Sequence, residues 1–255
     1  MISHVPDFKR PLLRPPPRNP LPFLPRPRPG REPGSSFDFV GTAHFTGRSI
    51  YDAIQAASSG LNSGVAVELD RARFDGLNRM GYSVGPQLRA RAEGEFVAAT
   101  DAFGNRDGDI WLLDWSIEQI DRRVRMTLTP QELWRWRSVS SDISPYEIKG
   151  AGLWEAGLKD EALHYLDFTT SAMREYFPSL YRVLIIERNL LMAGRLMEVE
   201  SQLADPQARL PVLMGMAHIE GVRELLREPE RVSEGFDRYG LNYSSPIRIR
   251  RARVN

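Results

Sequence analysis

The chain repeats one seven-residue pattern, G-x-A-H-x-x-G, at positions 41–47 and 215–221. Each copy follows a short apolar run that predicts a buried strand and precedes a stretch with helical periodicity. Two of the four histidines, His44 and His218, therefore occupy the same place in a strand-turn-helix unit. Because ligands of open α/β sheets bind beyond the carboxyl ends of the strands, the repeat predicts one site shared by both histidines. The alternative is that each histidine caps its own strand and is hydrogen-bonded in place.

The first glycine of each copy, Gly41 or Gly215, stands where the predicted strand ends. Glycine allows the main chain to turn sharply or to approach a ligand closely, because it has no side chain. We therefore expect both glycines to contact a substrate.

Size and composition favour one large domain with tails. The chain has 255 residues, which is enough to bury a sizeable core. It has no cysteine, so disulfides and thiolate metal sites are excluded and a metal would depend on His, Asp and Glu. No apolar run approaches the ~18–20 residues that cross a bilayer, and the N-terminus has no apolar segment typical of a secretory signal. We therefore expect a cytoplasmic protein.

The two ends of the chain are basic. Residues 1–33 hold 11 of the 19 prolines and seven Lys or Arg against two acids, and residues 248–255 hold four arginines. Proline removes backbone donors and fixes φ, so we predict a disordered tail over residues 1–35. Such ends are able to contact an anionic surface of lipid or nucleic acid, or a partner's aromatic groove, through their cations and prolines. A tail that only aids solubility is the alternative.

Strand patterns alternate with helix patterns along the folded region, 36–228. This alternation predicts an α/β fold with a mainly parallel, doubly wound sheet and helices on both faces. Aromatic-rich helices over 130–176 predict a helical insertion or cap, and the weaker pattern over 229–255 predicts a C-terminal extension with an edge strand or tail at 247–250. The predicted strands are 37–40, 65–69, 109–113 and 211–214, and the main predicted helices are 49–59, 71–80, 87–102, 116–126, 179–203 and a helix ending near 227.

Acidic residues lie at the ends of two other predicted strands. Glu68 and Asp70 stand at the end of strand 65–69, and Asp114 follows strand 109–113. If the strands are parallel, these acids share one edge of the sheet with the two histidines. Two histidines and a carboxylate suit a divalent ion of the Mn, Co, Fe or Zn type and leave positions for water and substrate. Such an ion would activate water for amide or ester hydrolysis.

Two of these acids have alternatives. Asp70 precedes a predicted helix, so capping of that helix is an equal interpretation. Glu68 lies in an apolar strand, where an unpaired carboxylate is costly, so it requires a cation or donor. Arg188 is the candidate partner, and an arginine on the surface of a helix is the alternative. No compact signature such as H-E-x-x-H is present.

The combination of segments resembles the TraB/PrgY pheromone-shutdown family, a branch of the erythromycin-esterase/ChaN-like superfamily that includes the Tiki proteases. The family pattern carries GxxH twice, an E-L-D segment after a strand, a D-R-x-I segment, and E-R-[DN] before M-A-x-x-L. The matching segments span about 40–225 in the same order. They are GTAHFTGRS at 41–49, VAVELDRARFDGL at 65–77, LLDWSI at 112–117, ERNLLMAGRL at 187–196 and VLMGMAHIEGV at 212–222.

The resemblance implies an α/β fold in which both GxxH motifs line one site, and a metal-dependent peptidase activity. Pheromone-shutdown relatives act on or bind a short peptide, and other members of the superfamily bind haem. The chain departs from the family pattern at Trp115, where an arginine is usual. It also lacks the apolar runs that form C-terminal membrane helices in many relatives.

These observations together predict a metal-dependent hydrolase that acts on a peptide or a related acyl substrate. We expect a divalent Mn, Co or Zn ion on His44, Glu68 and His218. Asp70 and Asp114 would orient these ligands, and Arg188 would hold a substrate carboxylate or stabilise an oxyanion.

A non-catalytic protein is the competing interpretation. It would sequester a peptide or haem at the same edge of the sheet. Trp134, Trp136 and Trp154 could supply the apolar wall of its pocket, and burial in the core of a helical cap is their alternative role.

Overall fold

The computed structural model describes residues 34–44, 46–59, 64–79, 94–103, 108–139, 144–203 and 209–251. These residues form an α/β fold around a five-stranded, mostly parallel sheet, as predicted. The strand order is β1-β4-β2-β3-β5; the pairs among the first four strands are parallel, and β5 is antiparallel to β3. The strands are β1 (Phe37–Thr42), β2 (Gly64–Val67), β3 (Gly108–Leu112), β4 (Leu210–Gly215) and β5 (Ile247–Arg251).

Helices connect the parallel strands and cover the sheet. Those in the first half of the described chain are α1 (Gly47–Ser58), α2 (Arg71–Arg79), α3 (Gly94–Phe103), α4 (Ile117–Thr127), α5 (Pro130–Val139) and α6 (Ser144–Glu155). Those in the second half are α7 (Lys159–Tyr176), α8 (Pro178–Tyr181), α9 (Arg188–Gln202), α10 (Met216–Arg227) and α11 (Glu230–Tyr239), with a π-helical turn (Arg182–Glu187) between α8 and α9.

The central strands are buried on both faces, which explains why they read as continuous apolar runs. Successive side chains of a strand point to opposite faces. Val65, Val67 and Leu213 accordingly join one hydrophobic cluster, whereas Ala66 and Val212 join another. The doubly wound arrangement of the sheet and the helical insertion over 130–176 stay predictions.

The start of α4 follows from its sequence. Ser116 accepts a hydrogen bond from the main-chain N–H of Gln119, and the Gln119 side chain accepts one from the N–H of Ser116. This capping box satisfies donors that the first helical turn leaves free. Ser116 is therefore the N-cap of α4, and the helix predicted over 116–126 is confirmed.

The helix predicted over 179–203 is interrupted in the structure. A π-helical turn from Arg182 to Glu187 separates the short helix α8 from α9. Such turns insert an extra residue into a helix and are frequent at functional sites. Glu187 at its end is fully buried and accepts two hydrogen bonds from Arg123 of α4, at 2.9 and 2.7 Å. The interruption thus comes immediately before Arg188.

The segment predicted as a C-terminal extension packs on the rest of the fold. Val232 and Phe236 of α11 are buried in the same cluster as Val212 and Met214 of β4. Gly240 ends α11 in the left-handed conformation (φ 60°), which glycine adopts without strain. The strand β5 then pairs with β3, so the edge-strand alternative for 247–250 is confirmed and the tail alternative is wrong. The helix α11 was missed, although Val232, Phe236 and Tyr239 recur at the i, i+4, i+7 spacing of one helical face.

Several predictions fall on other parts of the chain. Residues 1–33 of the tail predicted over 1–35 and the first part of the helix predicted at 87–102 lie outside the described residues. Among the described residues, no helix combines the length and the apolar character that a membrane span needs.

Candidate functional site

The two G-x-A-H units lie side by side at one edge of the sheet. Strands β1 and β4 are neighbours and run in parallel, with Thr42 opposite Gly215 at their carboxyl ends. His44 follows β1 and His218 follows β4. Glu68 comes directly after β2, which also pairs with β4 in parallel. The predicted placement of these residues at one edge is therefore confirmed.

The two units differ in where the helix begins. In the first unit, Thr46 caps α1 and His44 lies in the turn before the helix. In the second unit, α10 begins at Met216, so His218 belongs to its first turn. The expectation that the histidines take equivalent places after their strands is therefore wrong in detail, because the first turn is longer and carries its own cap.

The two leading glycines also have different surroundings. A side chain at Gly41 would overlap the sulfur of Met216 and press on Ile219, so this glycine allows β1 to pack against α10. Gly215 instead lines a cavity at the edge of the sheet. The expected substrate contact thus has structural support at Gly215, whereas Gly41 has a packing role.

Each histidine is held through its Nδ1 atom. His44 Nδ1 lies 2.7 Å from Oε1 of Glu95, a buried residue of α3. His218 Nδ1 lies 2.6 Å from Oδ1 of Asn189 on α9. Since both oxygens are acceptors, each Nδ1 carries a proton, and a ring that is neutral has its lone pair on Nε2. The oxygens thereby fix the tautomer and the orientation of both rings.

Gly221, the last glycine of the second unit, has a direct part in this arrangement. A side chain at this position would overlap Nδ2 of Asn189. The glycine therefore leaves the space in which Asn189 reaches His218. Its place in the repeated pattern reflects the support of the histidine, not contact with a ligand.

The imidazoles and Glu68 meet around Gly215. A Cβ atom built on Gly215 would lie 3.8 Å from His44 Nε2, 3.7 Å from His218 Cδ2 and 3.5 Å from Glu68 Oε2. His218 Nε2 lies 3.5 Å from Glu68 Oε1. A single small group above this glycine is thus within reach of both rings and of the carboxylate.

Glu68 is bound on both oxygens. Oε1 accepts a hydrogen bond from Nη2 of Arg188, and Oε2 accepts one from the main-chain N–H of Gly215 at 2.6 Å. The predicted need of Glu68 for a cation is therefore confirmed, and Arg188 is that cation. Arg188 also donates from Nε and Nη2 to Asp114, at 3.0 and 2.8 Å.

A second arginine extends the ion-pair network. Arg73 donates to Asp114 at 2.6 Å and to the carboxylate of Asp70. Asp70 also accepts from the main-chain N–H groups of Ala72 and Arg73, at 2.8 and 3.2 Å, so the capping interpretation of Asp70 is confirmed. Asp70 and Asp114 therefore position arginines, and neither contacts an imidazole directly in the interactions described.

Burial and charge oppose each other within this network. Burial raises the pKa of the Glu68 carboxyl, but His218 and Arg188 offset this, and the net pKa is lowered. Burial also raises the pKa of Asp114, but Arg188 and Arg73 lower it by more, so its net pKa is lowered as well. Burial lowers the pKa of His218 to about 4, although Glu68 acts in the opposite direction. Near neutral pH, both carboxylates are ionised and His218 is neutral.

The loop after β3 is held from α9. Arg195 is buried and donates from Nη1 to the main-chain oxygen of Asp114 at 2.7 Å. It also donates to Ser244 in the segment before β5. Trp115, where the family pattern has arginine, is buried in the core, and its carbonyl oxygen accepts from Arg73. In this chain, the tryptophan therefore contributes packing.

A cavity of about 820 Å³ opens above these residues. Its floor is polar and contains His44, His218, Glu68, Arg73 and Arg188. Its walls are mainly apolar and come from α4, α6 and α7. Wall residues include Ile120, Ile148, Ala151, Trp154, Leu163 and Leu166. The volume lies in the usual range of pockets for small ligands.

The three tryptophans that could form an apolar pocket wall do not all line the cavity. Trp154 is buried and lines the cavity, as the binding interpretation required. Trp134 is 70% exposed and does not line it. The side chain of Trp136 lies outside the described residues.

The start of α10 offers main-chain donors to the cavity. Met216, Ala217 and His218 line the cavity and form the first turn of this helix. No side chain of the described residues caps this end. The N–H groups of a first helical turn have no partner within the helix and favour negative charge. A carbonyl or carboxylate oxygen would be stabilised there.

The donors of the site suit a divalent ion in part. Nε2 of the neutral His218 carries a lone pair, and the Nδ1 of both histidines is held by an oxygen, as is usual for metal-binding histidines. The 3.5 Å between His218 Nε2 and Glu68 Oε1 is near the spacing of about 3.4 Å expected for two ligands of one tetrahedral ion. However, the described residues contain no group of three His, Asp or Glu close enough to hold one ion. The metal stays a prediction, with the two imidazoles as its best donors.

Sequence reasoning missed three supporting residues: Glu95, Asn189 and Arg73. Glu95 is an acid inside the apolar helix α3, and a buried acid of this kind needs a partner. Asn189 follows Arg188 directly, and Arg73 lies three residues after Asp70, where helix geometry brings the two together. The sequence shows the charges and spacings of these residues, but it does not show which residues of other helices and strands they contact.

Comparison with known proteins gives little further information. The chain is 25% identical over 221 residues to an uncharacterized protein of Methanocaldococcus jannaschii, and the match covers 75% of this chain. The chain spans about half of that relative, since the match covers 53% of the relative's length. No protein-family model matches the chain. No solved structure matches it either.

Proposed function

We propose that this protein is a hydrolase of peptide or related acyl substrates, with its reaction centre between His44 and His218. One observation carries the proposal. Two imidazoles that follow neighbouring parallel strands are fixed through Nδ1 and surround one point above Gly215. Paired, oriented imidazoles in a cavity are suited to proton transfer and to binding of a reacting group.

The two histidines are suited to different tasks. The side chain of His44 is 41% exposed, so water reaches its ring. In the proposed reaction, His44 Nε2 accepts a proton from a water molecule as the water oxygen adds to the substrate carbonyl carbon. The C–N or C–O bond then breaks, and the proton passes to the leaving amine or alcohol. His218, which burial keeps neutral, binds the reacting group through Nε2.

Main-chain donors of α10 would stabilise the charge that forms on the carbonyl oxygen. Residues of its first turn line the cavity, and no side chain of the described residues caps that end. Preorganised donors of this kind contribute strongly to acyl-transfer reactions. Arg188 was expected to contact substrate, but its Nε and Nη2 are occupied by Asp114 and Glu68. We therefore assign it to holding the two carboxylates in place.

As the alternative to His44 acting as the base, we propose a metal-dependent form of the reaction, in which a divalent Mn, Co or Zn ion is held by Nε2 of His44 and of His218, next to Glu68. A nitrogen bound to the ion cannot also accept a proton, so the two forms exclude each other. When bound, such an ion lowers the pKa of a water ligand and polarises a carbonyl group. The contacts of both Nδ1 atoms support this assignment, because they orient the two rings with Nε2 as the nitrogen remote from each anchoring oxygen.

Assays of wild type and matched histidine variants test the proposal. Metal-stripped protein should gain peptidase or esterase activity when Mn, Co or Zn is restored, and His44→Ala should abolish that activity. His164→Ala is the control, because His164 is exposed on α7 and does not line the cavity. Equal hydrolysis by wild type and His44→Ala would contradict the hydrolase, and equal activity with and without metal would contradict the metal.

Binding without cleavage is the second candidate, and the largely apolar cavity favours it. A peptide or haem would then be retained at the same edge of the sheet. Mass spectrometry of a peptide after incubation separates the two functions, since a hydrolase yields fragments and a binding protein returns the intact peptide. A Soret band in the purified protein would indicate haem.

We also propose the finer features of the fold. Helices on both faces of the sheet would make it doubly wound, which is supported by the two hydrophobic clusters formed by alternate strand residues. The helices within 130–176 would act as a cap, because α6 and α7 supply most of the cavity wall. Removal of this segment should leave a folded sheet domain without substrate affinity.

A further inference from the structure

The cavity is divided into a polar floor and a helical, apolar wall. The floor is the site already described, at the carboxyl ends of the strands. The wall consists mainly of side chains from α4, α6 and α7, among which Trp154 and Ala162 are buried and Tyr146 and Ile148 are exposed. Anything that reaches the floor must therefore lie along an apolar surface.

Helical walls offer little to the main chain of a peptide. Proteins usually bind extended peptides by adding them to a strand edge, where N–H and C=O groups are free. Interior N–H and C=O groups of a helix are bonded within the helix. A peptide amide placed against this wall would lose its water without gaining a main-chain partner, which is costly.

The strand ends at the floor are also occupied. The N–H of Ala43 donates to Ser49 Oγ, and its carbonyl oxygen accepts from Ser49 and Thr46. The N–H of Gly215 donates to Glu68. The main chain at these positions therefore cannot add a peptide strand that enters from the cavity.

We infer that the group occupying the cavity is an apolar acyl chain without internal amides, with its carboxyl or carbonyl end at the floor. Methylene groups bury against the α6–α7 wall, and the polar end meets the α10 N-terminus and the two imidazoles. The substrate class would be acyl esters or acyl amides with a hydrocarbon chain, not peptides of several residues within the cavity. Hydrolysis of such substrates rests on the proposed function, but binding of the chain does not.

A chain-length series tests the inference by equilibrium binding. Calorimetry with the full chain would use straight-chain carboxylates from butanoate to dodecanoate as probes. Affinity should rise about fourfold for each added methylene until the cavity is filled, which is the ratio expected for burying one methylene. N-acetyl-trileucine amide, which is apolar but contains amides, should bind more weakly than dodecanoate. Affinity that is independent of chain length, or tighter binding of the peptide, would overturn the inference.

Two neighbouring positions of α6 provide a matched pair of variants. Ala151 lines the cavity, whereas a side chain at Gly152 would meet no atom within 4 Å. Ala151→Trp should weaken dodecanoate binding by at least about tenfold, because a filled cavity resists further packing. Gly152→Trp should bind as wild type does. Equal binding by both variants would place the acyl chain elsewhere and overturn the inference.

The same probes separate this inference from the proposed function. If carboxylates bind with the expected chain-length dependence but p-nitrophenyl esters of the same chains are not cleaved, the hydrolase fails and the acyl site stands. If peptides are cleaved while acyl chains do not bind, the acyl site fails and the hydrolase stands. The wild-type series decides the inference even if the Ala151→Trp variant does not fold.

Discussion

The strongest structural prediction concerns Arg188, which joins two buried carboxylates. Its Nε and Nη2 bind Asp114, and Nη2 also binds Glu68. The side chains of all three residues are at most 12% exposed. Burial opposes the charge on Arg188, but Asp114 and Glu68 raise its pKa above the ordinary value. Replacement by methionine would retain much of the volume and remove the cation.

The expected cost follows from the charges that remain. Removing one partner of a buried ion pair typically destabilises a protein by about 3–5 kcal/mol, because the other charge is left without compensation. Asp114 would retain Arg73, whereas Glu68 would lose its arginine partner and keep its contacts with His218 and the N–H of Gly215. We therefore expect Arg188→Met to lower the free energy of unfolding by about 3 kcal/mol.

Urea unfolding of three variants checks this value. Arg188→Met alone should show the full loss, and adding Glu68→Gln should recover part of it, because the uncompensated charge is then absent. Arg125→Met is the control, since Arg125 pairs with Asp121 on the surface of α4 and should have no measurable effect. A loss in Arg188→Met no larger than in Arg125→Met would refute the reasoning, as would further destabilisation by Glu68→Gln.

Two other predictions concern the support of His218. Its folded pKa of about 4 is below the ordinary value of 6.5, so between these values the unfolded chain binds more protons. The contribution of neutral His218 to the free energy of unfolding is therefore complete above pH 6.5. In metal-free protein, about 3 kcal/mol of this free energy should be lost as the pH falls to 4, which urea unfolding would measure. His218→Gln should lack this pH dependence, and an unchanged slope would contradict the prediction. Gly221→Ala should displace Asn189 and reduce kcat by about tenfold or more through loss of the His218 orientation. Gly76→Ala, in open space within α2, should instead raise stability by about 0.5–1 kcal/mol, and equal effects of the two substitutions on kcat would argue against a role for Asn189.

Periodicity and strand ends were informative at the level of whole elements. The alternation of apolar runs and helical patterns predicted the mostly parallel sheet, because strands buried on both faces must be apolar throughout. Parallel strands place their carboxyl ends at one edge, which was enough to bring His44, His218 and Glu68 together. The partner of Glu68 was predictable because a buried carboxylate requires a cation.

The missing features depend on packing between distant elements. Glu95 and Asn189 come from α3 and α9, and no local pattern shows that they meet the two histidines. The π-helical turn before Arg188 changes hydrogen bonds within an otherwise helical pattern, so periodicity alone predicts one continuous helix. The helices α1 and α10 begin at different positions of the repeated pattern because Thr46 caps α1. The pattern G-x-A-H-x-x-G is the same in both copies and does not predict this difference.

The central claim is that His44 and His218 act on one reacting group, and a double-mutant cycle on kcat/KM tests it most directly. His44→Ala, His218→Ala and the double variant would be compared with wild type on one acyl substrate, with folding checked by circular dichroism. Groups that act as a unit are strongly non-additive, so the double variant should lose about as much activity as either single variant. If the two single losses instead add in free energy, each histidine acts independently and the shared site is contradicted.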